Sequence, residues 1–439
     1  MRRLGLLLTS AGLGLAGPAG AAPTDPEGRL ALRGLWSRDD GGGPTVGLAF
    51  LDTDARAGGL TRSGLALRLD AGFVLDATEA QERRFGETES LDQVRELYAE
   101  QPGLAGAIDL RVGRRLIPEA GNGWVDGLEG RVALTDGLSL GLYGGWAPDP
   151  VDYALRADHQ ALGGYLSVAS GRLDLDLAYH VELADTALDR HFAFLRGHAR
   201  ATDELFLATY AIVDMVGGPN ITTLLATTDY TPIQALTLTL NLSRYSVARY
   251  RDQTVYRNVL EPNQALLLGD EVAELVYNRA QLSASVHAGG GLYHYQVIEH
   301  KRRSQDGGRA WLYTIGARHD DAFGAGLRVD GHATLDDDFA SDAWWTAVEV
   351  ERDLGADWTL AARATWFDGR TVGRTTERGR TFDEAQSILL CGASALVRLD
   401  ARHHVDVDYD LVFESELQDA RNQDDLAIHT LMGRYVLLL

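Results

Sequence analysis

Charged side chains recur at even spacing along one face of the segment from Leu104 to Leu116. Asp109, Arg111 and Arg115 stand opposite Ile108, Leu110 and Val112, and Glu129 and Arg131 repeat the arrangement in the next segment. Such charges perform no covalent chemistry. On the wall of a pore they form an electrostatic constriction that selects permeating solutes; the plainer reading is a set of mutually neutralising wall charges. A second set is acidic: Asp174, Asp176 and Glu182, with Asp406, Asp408 and Asp410, and with His180 and His404 among them. Carboxylates and imidazoles are metal ligands. Neighbours at i and i+2 on a strand stand ~6.6 Å apart, however, so a solvated face is the better reading and no metal site is expected. Asp336-Asp337-Asp338 offers hard oxygen donors suited to calcium, but without EF-hand spacing it reads as a polar loop tip. The 12 histidines and scattered serines form neither G-x-S-x-G nor H-E-x-x-H, so the chain is not expected to be an enzyme and no cofactor is implied.

The elements that carry these residues have a period of two, the spacing at which successive side chains take opposite faces of a strand. Leu236, Leu238, Leu240 and Leu242 alternate with Thr237, Thr239, Asn241 and Ser243. Leu173, Leu175, Leu177, Tyr179 and Val181 alternate with the first acidic set, and Val405, Val407, Tyr409, Leu411 and Phe413 with the second. Soluble sandwiches show the same alternation, so length and count decide. Strands of about 10 residues, tilted by ~40°, rise ~25 Å, the height of a lipid-facing band.

Tight connections such as Gln101-Pro102-Gly103, Ser170-Gly171-Arg172 and Gly289-Gly290-Gly291 alternate with longer ones: Pro118 to Val125, Asp149 to Asp158, Tyr250 to Glu274, Gly369 to Glu384 and Ser415 to Asp425. Short periplasmic turns and longer external loops are the wiring of an up-and-down outer-membrane barrel. The spacing predicts one all-β, antiparallel transmembrane barrel of about 22 strands, within a range of 18 to 24. Its weakest strand is Val94 to Glu100. Trp358 and Trp366 share a face eight residues apart, which places them ~20 Å apart along the membrane normal, the spacing of two aromatic girdles. Trp344, with Trp36, Trp146 and Trp311, also falls near a segment end.

Arg2 and Arg3 precede an apolar run and then Ala19-Gly20-Ala21, the pattern of a cleaved signal peptide over residues 1–21. Residues 22–439 then form the barrel. The single cysteine, Cys391, excludes an intramolecular disulfide, and no C-x-x-C-H is present to attach a haem. A net charge of −22, with 41 dispersed cations against 63 carboxylates, argues against nucleic acid as a partner.

The last nine residues, Leu431-Met432-Gly433-Arg434-Tyr435-Val436-Leu437-Leu438-Leu439, resemble the final strand that the barrel-assembly machinery recognises in outer-membrane proteins. Gly433, Tyr435, Leu437 and Leu439 carry that resemblance, with Leu where the family most often ends in Phe. Over its mature length the chain resembles Gram-negative porin-like barrels, with Asp109 to Arg115 and Asp126 to Leu128 similar to lumen-wall strands. The resemblance implies an outer-membrane location, lipids and the assembly machinery as partners, and passive diffusion of small solutes or ions. The loop Tyr250 to Glu274 is the expected internal constriction. A second expectation is a structural sleeve around a lumen-plugging partner such as a cytochrome.

Overall fold

Period-two alternation does produce strands along almost the whole chain. The computed structural model describes residues 27–40, 45–61, 63–76, 93–104, 107–121, 123–149, 153–246, 276–304, 307–339, 341–375, 381–417 and 426–438. The expected signal peptide and the loop from Tyr250 to Glu274 lie outside them. In chain order the strands are β1 (Glu27–Asp39), β2 (Val46–Ala57), β3 (Ala66–Asp76), β4 (Gln93–Leu104), β5 (Ile108–Ile117), β6 (Gly123–Thr135), β7 (Leu138–Trp146) and β8 (His159–Ala169). They continue as β9 (Leu173–Ala184), β10 (Ala187–Arg200), β11 (Leu205–Asp214), β12 (Asn220–Ile233), β13 (Leu236–Ser246), β14 (Val276–Gly289) and β15 (Leu292–Arg303). The last seven are β16 (Arg309–Ala322), β17 (Leu327–Asp338), β18 (Ser341–Leu354), β19 (Trp358–Thr375), β20 (Thr381–Arg398), β21 (His403–Leu417) and β22 (Leu426–Leu438).

Each strand pairs antiparallel with the next, and β1 pairs with β22 from Arg29↔Leu438 to Asp39↔Ile428, so the sheet closes on itself. Closure leaves no edge with unpaired backbone groups. Twenty-two strands at ~4.8 Å spacing and ~40° tilt enclose a barrel roughly 40 Å across. The start of β1 and the end of β22 lie at one rim with most of the tight turns, and most of the longer connections join strands at the other. Three expected boundaries move. Strand β4 continues through Gln101-Pro102-Gly103 to Leu104, most of Gly369 to Glu384 extends β19 and β20, and Asp336-Asp337-Asp338 ends β17 instead of forming a loop tip. In each case cross-strand pairing satisfies backbone groups that a loop would leave to water.

The outer face is apolar. Leu51, Phe73, Leu97, Leu128, Leu142, Leu162, Leu177, Leu240, Leu282 and Leu335 are exposed there, Leu142 by 64%. Surface of this extent is stable only against hydrocarbon, which makes the barrel a transmembrane one. Trp344, Trp358 and Trp366 all face outward, as do Trp36, Trp146 and Trp311. Cys391 points outward between Ala364 and Leu411.

The inner face is unevenly filled. Gly113, Gly127 and Gly145 lie in register across β5, β6 and β7. A Cβ at Gly113 would fall 2.2 Å from the Leu97 carbonyl oxygen, and one at Gly127 2.2 Å from that of Gly144. Neighbouring backbones approach there more closely than any side chain allows, so the wall creases along this line. Beyond the crease, Ile117, Val125, Tyr143, Tyr165, Phe192, Phe194 and Ile212 form a buried cluster inside the barrel. The 3-10 turn Pro118–Ala120 is folded inward over β8 and β9.

Candidate functional site

The inner wall between β1 and β6 carries a chain of alternating guanidinium and carboxylate groups. Arg33 Nη2 lies 2.6 Å from Asp52, and Arg95 bridges Asp52 at 3.5 Å and Asp70 at 2.6 Å. Arg68 joins Asp54 at 2.7 Å to Glu96 at 3.5 Å, and Arg56 reaches Glu100 at 3.1 Å. Period two sets the pattern, because alternate side chains of each strand point inward, and in this part of the wall many of them are long and charged. Register then places opposite charges side by side.

At the crease the chain of charges converges. Arg111 donates from Nε to Glu100 at 3.0 Å and from Nη1 to Glu129 at 3.2 Å. Arg115 pairs with the same Glu129 and lies 5.6 Å from the Tyr98 ring centroid, over its face. Glu129 is only 3% exposed and also accepts a hydrogen bond from the Tyr165 hydroxyl. A buried carboxylate needs such a set of donors, since an uncompensated one costs several kcal/mol. The Tyr165 ring reaches Glu129 by lying across Gly141, its register partner, in space that a Cβ would occupy. Tyr143 lies likewise across Gly163 and meets His180 Nδ1 at 2.6 Å; His180 Nε2 in turn is 3.0 Å from Glu182.

The remaining sequence candidates also face inward. Asp109 accepts the Gly103 amide at 3.0 Å and stands in register with Arg131, whose Nε donates to Ser139 at 3.1 Å. Asp176 accepts from Ser167 at 2.6 Å and from Arg196 Nε at 2.9 Å, while Asp174 is exposed to the lumen. Asp406 pairs with Arg434 at 2.9 Å; Arg363 lies 2.7 Å from Asp410 and 4.0 Å from Asp408. The two acidic sets do not meet. They stand on β9 and β21, on opposite sides of a 22-stranded wall, with Arg196 against Asp176 in the first and Arg363 and Arg434 against the second. Among the described residues no group of three or more His, Cys, Asp or Glu side chains is placed to hold a metal ion. At the long-loop rim, Asp158 is held below the usual carboxylate range, chiefly by its hydrogen bond with the His159 side chain.

No family model and no curated protein matches the sequence. Among solved structures the chain is similar to Pseudomonas aeruginosa OpdQ, with a TM-score of 0.45, 9% identity, and 95% of this chain and 100% of that one covered. It is similar to P. aeruginosa OccK5 (OpdH) at 0.44 and 11%, covering 94% and 98%, and to OccD3 (OpdP) at 0.43 and 9%, covering 95% and 94%. The barrel fold of this chain rests on its own closed strand pairing.

Several wall residues carry no sequence signal of their own. Glu100 and Tyr98 sit on the strand that composition marks as weakest, yet they complete the network at Glu129. Arg363 could be placed only by its register with Gly392, across which it reaches Asp410. Phe192 and Phe194 face the lumen although they are apolar. A hint exists in β10, where Ala193 and Leu195 are apolar on the other face, so neither alternation is wholly polar.

Proposed function

We propose that the chain is an outer-membrane channel through which small polar solutes or ions diffuse passively. One observation carries this reading: a closed barrel with an apolar exterior has an interior wall of paired and exposed charges that the described residues occlude on one side. Between β5 and β11 the lumen is occupied by the inward 3-10 turn and its aromatic cluster. From β13 round to β3 many inward positions are polar, among them Thr239, Asn241, Gln281, Glu299, Thr334, Arg363, Asp408 and Asp52, interspersed with apolar ones such as Phe50, Trp345, Phe367 and Leu390. Water and solutes pass along that side, and the Arg111–Glu129–Arg115 network at its border acts as a fixed electrostatic element. The sleeve reading has no observation behind it, since the chain's own side chains fill part of the space a threaded partner would need.

The test is conductance of the purified, refolded protein in a planar bilayer. Stable open events with a reversal potential favouring cations under a salt gradient are expected, because carboxylates outnumber cations by 63 to 41 in the whole chain. A correctly folded barrel that stays silent would overturn the channel reading. Clear anion preference would instead assign the field to Arg111, Arg115 and Arg131.

A further inference from the structure

A basin opens into the lumen low on the wall formed by β9 to β12, away from the Glu129 network. Its volume is about 530 Å³, within the range of pockets that enclose small ligands. The basin exists because a small residue, Ala208, sits in register between the larger His198 and Thr227. Phe206 and Tyr210 flank Ala208 two residues away along β11, and Leu225 closes the far side. Leu225 is 51% exposed although it points into the lumen, and the His198 and Phe206 rings lie tilted by 36° with centroids 5.9 Å apart. Tyr210 donates to the Gly121 carbonyl at 3.4 Å, so the inward-folded segment overhangs the basin from above.

An apolar, aromatic shelf wetted by the lumen has unused burial to offer. The charges around it define what it would bury. The inward charged groups on this lower half of β9 to β12 are Asp174, Asp176 and Asp229 against Arg196 and Arg200, three carboxylates to two guanidiniums. Arg196 is held by Asp176, and Asp229 accepts from Thr239 at 2.6 Å. Asp174 is exposed, lies at the basin's edge and stands across from His198. Neither Asp174 nor Asp229 is shown against a guanidinium, and of the two only Asp174 lines the basin; the faces of Phe206 and Tyr210 add the electron density that attracts cations.

The geometry points to a binding subsite in this basin for small organic monocations that carry an aromatic or branched apolar body. The ammonium group meets Asp174, and the body covers Ala208 between Phe206, Tyr210 and Leu225. The inference rests on the channel reading in taking the lumen to be open to solutes. Occupancy retains one class of permeant part-way through the lumen, so block of ion current follows binding.

Titration calorimetry on the refolded barrel in detergent tests this, with phenethylamine, 2-phenylethanol and 3-phenylpropionate as cationic, neutral and anionic probes. Binding of phenethylamine alone is expected. Asp174→Asn should weaken it by about three- to tenfold, as loss of a charge-assisted hydrogen bond does. Ala208→Trp, which fills the basin from an inward position, should abolish it. Asp336→Asn, which removes an inward carboxylate on β17, should leave it unchanged and so separates local binding from overall charge. Equal binding of all three probes, or undiminished binding to Ala208→Trp, would overturn the subsite. Bilayer recordings run in parallel distinguish the two readings: current without phenethylamine binding sinks the subsite alone, and binding without current sinks the channel alone.

Discussion

At the scale of single residues, the interior depends on aromatic rings seated on glycines. Tyr165 lies across Gly141, Tyr143 across Gly163, and Tyr295 across Gly316, where its hydroxyl reaches Asp330 at 2.9 Å. A methyl group at Gly141 would fall 2.1 Å from Tyr165 Cζ. Gly141→Ala therefore displaces the ring and strips Glu129 of a donor, with an expected loss of roughly 1–3 kcal/mol in urea unfolding from lipid bilayers. Tyr165→Phe keeps the ring and removes only the hydrogen bond, so a smaller loss of about 1 kcal/mol separates seat from bond. At the short-turn rim, Asp400 accepts the Arg402 amide at 2.8 Å and the His403 amide at 2.9 Å, and these bonds, that of Arg402 foremost, hold its carboxyl below the usual range. Its stabilising contribution is present above the ordinary carboxylate value and is lost as pH falls through the depressed one. Asp400→Asn should flatten the acid limb of stability against pH; an unchanged limb would show that the turn is held otherwise. Such seats and caps are poorly legible in sequence, because a glycine or a turn aspartate acquires its role from whatever lies across the register.

At the scale of elements, the segment between β5 and β6 is the clearest departure from expectation. Sequence marks Pro118 to Val125 as an external loop, and its length and proline support that. The structure brings its 3-10 turn inside, where Ala120 is fully buried and Gly121 packs against Phe192 and Phe194. The turn follows the apolar inner faces of β10 and β11, which a strict lipid-out, polar-in pattern would forbid. Burial decides: apolar rings facing a wet lumen gain by covering one another and the turn. Replacing Phe192 and Phe194 together by alanine should release the segment, and wider, noisier current steps in bilayer recordings are expected. Unchanged conductance would mean that the segment does not border the permeation path.

At the scale of the whole molecule, the outer band sets where the protein can reside. Leu142→Arg, at the most exposed part of that band, should cost roughly 2–4 kcal/mol and lower the folded yield in lipid vesicles. The equivalent change on an inward position, Thr239→Arg, should be tolerated. That contrast checks which alternation faces lipid. By itself the sequence determined the class, the strand count and the sorting of faces, because period two and strand length are local and repeat along the chain. It also placed Asp109, Arg111, Arg115, Glu129, Arg131 and both acidic sets on inward positions. Only the tertiary structure decided which charges neutralise one another, that the acidic sets lie on opposite walls, where the wall creases, and which part of the lumen the described residues fill. Those outcomes depend on contacts between residues as far apart as Ser37 and Thr430, paired only when β1 closes on β22. No local pattern encodes register around a closed circle, since a slip of one residue anywhere exchanges the two faces of a strand.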